Sequence, residues 1–78
     1  MADQGHEAGA VVRVIELVGS SPNSFSDAVR VAAKTAAGTV RHIQGIEVLS
    51  SNADVDEDGN LTMYKVNCKI AFLYERRP

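Results

Sequence analysis

The segment Asp54-Val55-Asp56-Glu57-Asp58-Gly59-Asn60 places side-chain oxygens at alternate positions and runs through a glycine. Hard cations such as calcium take several oxygen ligands, and a D-x-D-x-D-G run is how a calcium-binding loop begins. Asp54, Asp56, Asp58 and Asn60 are therefore the candidate metal ligands. Such a loop closes with a bidentate glutamate at its twelfth position, which here is Lys65, and no helical pattern flanks the segment. The competing reading is a solvated acidic hairpin turn built on Asp58-Gly59.

A second set of polar groups is Gly45, Glu47, Lys65, Asn67 and Lys69, all expected on one face of a sheet. One reading is a ladder of cross-strand ion pairs, Glu47 with Lys65 or Lys69, which stabilises a sheet modestly. The other is a pocket face for an anionic or planar ligand.

Catalytic groups are few. Cys68 is the only cysteine, which excludes a disulfide within the chain, and it falls among apolar residues where a thiol acts as a small hydrophobe. His42 stands near the end of a predicted helix, where it complements the helix dipole. His6 lies in a polar N-terminal stretch. No Ser/His/Asp set, glycine-rich phosphate loop or Cys/His cluster is present, so the expectation is a binding protein and not an enzyme. A formal net charge of -2 argues against general nucleic-acid binding. No run approaches the roughly 18 to 20 apolar residues of a membrane span. Residues 1–10 lack the basic start and apolar stretch of a signal peptide, so a cytoplasmic location is expected.

The elements that must position these groups follow from periodicity. Val11 to Val18 is dense in β-branched residues and ends at Gly19, which predicts a first strand. Ser21 before Pro22 predicts a helix N-cap, with Ser24 and Asp27 as the competing cap. Phe25, Ala28, Val29, Ala32, Ala36, Val40 and Ile43 then share one helical face, predicting a helix that ends near His42. Gly45 to Ser51 predicts a second strand and Asn52 to Asn60 a turn. Tyr64, Val66, Cys68, Ile70, Phe72 and Tyr74 alternate with Lys65, Asn67 and Lys69, the pattern of a half-buried third strand. The organisation expected is an N-terminal tail over 1–10, one domain over 11–75 and a short C-terminal tail over 76–78.

The fold class is α+β, in the order strand, helix, strand, strand. With the third strand between the other two, the whole sheet is antiparallel. One helix covers one face only, and a three-stranded sheet with one helix is marginal alone. Self-association through the bare face and the sheet edges is the expected remedy.

In this order of elements the chain resembles the dodecin family. The resemblance rests on Val14-Ile15-Glu16-Leu17-Val18-Gly19-Ser20-Ser21, on Thr39-Val40-Arg41, on Glu47-Val48, and on Tyr64-Lys65-Val66 through Phe72. It implies a β-α-β-β subunit whose sheet wraps its own helix, twelve copies of which form a hollow homododecamer. Flavin-binding members stack the flavin ring on a tryptophan of the second strand and hydrogen-bond it through a glutamine of the third. The positions that match are Gly45 and Lys65, so both flavin groups are substituted here. Ser21-Pro22-Asn23-Ser24-Phe25 and the Val55-Asp56 turn are similar to the calcium-associated branch, which also lacks that tryptophan. The resemblance thus implies ligand or ion storage, with calcium favoured over flavin; the alternative of another class is a structural shell or interaction module with no ligand.

Overall fold

The structure, a computed structural model, describes residues 9–76. Strand β1 spans Ala10–Ser21, helix α1 Phe25–Ala37, β2 Ile43–Val55 and β3 Leu61–Arg76. The sheet order is β1-β3-β2, and β3 is antiparallel to both neighbours. The predicted α+β class and central third strand are what the fold shows. The tail expected over 1–10 lies outside the described residues up to position 8, and β1 already includes Ala10.

The helix starts at the second of the two predicted caps. Ser24 is extended, with φ -169° and ψ 164°, and its hydroxyl accepts from the Asp27 amide at 2.9 Å. Ser21 is instead the last residue of β1. Its buried hydroxyl donates to Asp27 Oδ2 at 2.6 Å and accepts from the Asn23 amide at 2.9 Å, tying the strand to the helix start.

At the other end the helix stops at Ala37, short of the predicted His42. The amides of Gly38, Thr39 and Val40 turn back onto the Thr35 and Ala36 carbonyls, closing the last turn. Glycine and β-branched residues are poor helix formers, so Gly38-Thr39-Val40 gives little to continue with. His42 then takes a positive φ of 61°, which turns the chain into β2. Val40 lies in the link and Ile43 opens β2, so neither belongs to the helical stripe that includes them by spacing.

The core is thin and built on small residues. Ala28, Ala32 and Ala36 are buried on the helix, and Val66, Cys68 and Ile70 on the inner face of β3. Gly19 permits the close approach. A methyl group there would collide with the Ala28 carbonyl oxygen and lie 2.9 Å from Ala32 Cβ. The Phe25 ring meets the Tyr64 ring edge-on, with centroids 4.9 Å apart, and fixes the helix start over β3.

The predicted alternation of β3 holds through Ile70 and fails at its end. β1 and β3 shift register between Val11 and Val12, opposite Tyr74. Tyr74 is 60% exposed, and the Arg13 guanidinium lies 5.3 Å from its ring centroid. It serves as a cation–π partner, not a core residue.

Candidate functional site

The helix packs on β1 and β3 and barely reaches β2, while no element among the described residues covers the opposite side of the sheet. That outer face is read from the register of the three strands. Ser20, Lys65 and Asn52 form one row, and Val18, Asn67 and Ser50 the next. Glu16, Lys69 and Glu47 form a third row, and Val14, Ala71 and Gly45 a fourth.

Strict alternation along β2 would turn Ser50 inward. A register shift between Val48 and Ser50 absorbs Leu49 and restores the outward phase. The Asn67 side-chain amide accordingly donates to Ser50 Oγ at 2.8 Å. An earlier shift between Ile43 and Gly45 absorbs Gln44 and sets Gly45 against Ala71. β2 also continues to Val55, so Asn52 to Val55, predicted as turn, lengthens the ribbon. The extra length is possible because Asn52 and Asp54 face solvent and pair across the strands.

An open pocket of about 420 Å³ lies at the fourth row, lined by Val14, Gly45, Ile46, Glu47, Lys69 and Ala71. Its walls are aliphatic and its polar groups are one carboxylate and one ammonium. Gly45 forms part of the lining without a side chain, and nothing lies within 4 Å of where a Cβ would stand.

Of the pocket-face residues named from sequence, Gly45, Glu47 and Lys69 come together there. Lys65 does not join them. It is six residues before the Ala71 partner of Gly45 on β3, which sets it about 20 Å away at strand rise. Its ammonium pairs with Asp54 Oδ1 at 3.0 Å, not with Glu47. Asn67 stands between, bonded to Ser50. Val14 and Glu16 of β1 complete the face and were not among the residues singled out by sequence. Charge alone did not mark the outward side of β1, because its two charged residues, Arg13 and Glu16, lie three apart and so on opposite faces.

The acidic segment is wired as a turn. Asp56 Oδ1 accepts from the Asp58 and Asn60 amides, each at 2.9 Å, and its own amide donates to the Asn60 carbonyl. The Gly59 amide returns to the Asp56 carbonyl, with Gly59 at φ 84°. The Asn60 backbone bond, aided by those of Asp58 and Gly59, holds the Asp56 carboxyl below the usual carboxylate range. Asp54 is engaged by Lys65. Among the described residues no three His, Cys, Asp or Glu side chains converge as a metal-binding group. Asp56 Oδ2 is met by the Asn60 side-chain amide at 3.4 Å.

Cys68 is fully buried, its thiol 3.5 Å from the Leu17 carbonyl oxygen, and burial pushes its pKa up. A buried, protonated thiol is a poor nucleophile. His42 is exposed in the link before β2, beyond the helix it was expected to cap. No helix among the described residues is long and apolar enough to cross a membrane.

The family model described as dodecin matches residues 11–75. Among solved structures, the tt0972 protein from Thermus thermophilus superposes with a TM-score of 0.80 at 31% identity, covering 86% of this chain and 97% of that one. A dodecin from Streptomyces coelicolor gives 0.80 at 32% identity over 85% and 93% of the two chains. The calcium dodecin of Mycobacterium tuberculosis, described as a calcium-chelating antigen with a novel calcium-binding site, gives 0.74 at 27% identity over 85% and 93%. No curated protein matches the chain.

Proposed function

The chain belongs to the dodecin family, and from that premise we propose that it is one subunit of a closed homododecamer that sequesters a small ligand or ion, calcium ahead of flavin. The observation that carries this reading is the outer sheet face, left bare by the helix and holding an open pocket at Gly45. Binding, not turnover, fits a face whose only ionisable pocket groups are Glu47 and Lys69 and a chain whose one thiol is buried.

Calcium is favoured by three observations. Gly45 offers no ring on which a flavin would stack, the carboxylates of the Asp54–Asn60 segment stand in an exposed acidic turn, and the calcium dodecin shares the fold. The proposed ligands are Asp54, Asp56, Asp58 and Asn60. Calcium takes six to eight oxygens, so water or a neighbouring copy has to complete the shell around this turn. Asp54 already pairs with Lys65 through Oδ1, so its other oxygen is the one left to ligate a cation.

Flavin is the second reading, favoured by the pocket itself. A volume of about 420 Å³ with aliphatic walls is in the range of small-molecule sites. Two titrations separate the readings. Calorimetry with calcium should give binding heat for the purified protein that is lost on D56N/D58N, and absence of heat in the unsubstituted protein rejects the calcium assignment. Quenching of flavin fluorescence by the same preparation, unaffected by D56N/D58N, would establish the second reading instead.

A further inference from the structure

We draw no further inference here: the strongest candidate, the apolar inner face of β2 at Ile46 and Val48 that the helix leaves exposed, belongs to the self-assembly already proposed, and nothing in the structure shows which part of a second copy covers it.

Discussion

Two residues carry chemistry that can be tested singly. Asp56 holds the turn through four backbone contacts, and those from the Asn60 and Asp58 amides to its carboxylate favour the ionised form. Its folded pKa is lowered, so the unfolded chain binds the proton more readily. The stabilisation is complete above the unfolded value of about 3.9 and is lost as pH falls through the lowered folded value. D56N keeps an acceptor oxygen and removes the charge. Chemical denaturation should find it less stable than the parent at neutral pH, with the gap closing as pH falls below about 3.9. A gap that does not change with pH would mean the carboxylate's charge is not what secures the turn. Gly45 is the complementary case, a missing group. Open space at its Cβ admits a large side chain, and an aromatic platform adds about 0.5 to 1.5 kcal/mol. Flavin affinity, read by fluorescence quenching, should therefore rise roughly two- to ten-fold in G45W. An unchanged or weaker affinity would show that the missing ring is not what limits flavin here.

At the scale of elements, the strands and their faces were legible because β3 alternates strictly from Tyr64 to Ile70 and a register slip would turn every side chain over. The irregularities were not legible. A bulge such as that at Leu49 leaves no mark in composition, since any residue serves as the extra one. The helix end was hidden by Val40 and Ile43, which continue the apolar spacing by coincidence although Gly38 had already closed the last turn. The choice of cap turned on Ser21, whose hydroxyl is held by the strand end and by Asp27. S24A should accordingly destabilise by about 1 kcal/mol, the usual cost of losing an N-cap, as a shift in denaturation midpoint without a change in slope. Gly19 is the tighter constraint. G19A forces a methyl group against the Ala28 carbonyl and Ala32, and overpacking of this kind costs about 1 to 3 kcal/mol. If G19A unfolds at the parent's midpoint, the helix and β1 are not in the close contact described.

The shape of the whole molecule decides what the bare faces are for. A lone domain of 78 residues is expected to have a radius of gyration of about 11 to 12 Å, whereas this chain has 16.5 Å and extents of 57 × 27 × 14 Å. A slab so thin has only one side chain layer between helix and sheet, and the buried alanines make that layer thinner still. Such a subunit gains its missing burial from other copies or remains marginal. The shortfall of burial that self-association would make good was therefore legible from one helix and three strands, but the particular contacts it would use were not, because one chain's pattern does not say which apolar strip meets which. Val48 provides the test. It is 48% exposed in the subunit, on the inner face of β2 beyond the helix. Twelve copies of the 8.3 kDa chain come to about 100 kDa, the mass light scattering should report for the parent. V48D places a charge on a strip that the subunit alone leaves in water, where substitutions usually change stability by less than about 0.5 kcal/mol. If the strip is buried between copies, the unpaired charge has no partner there and the particle should break down to smaller species that still fold. A V48D particle that keeps the parent's mass would place the assembly contacts elsewhere on the slab.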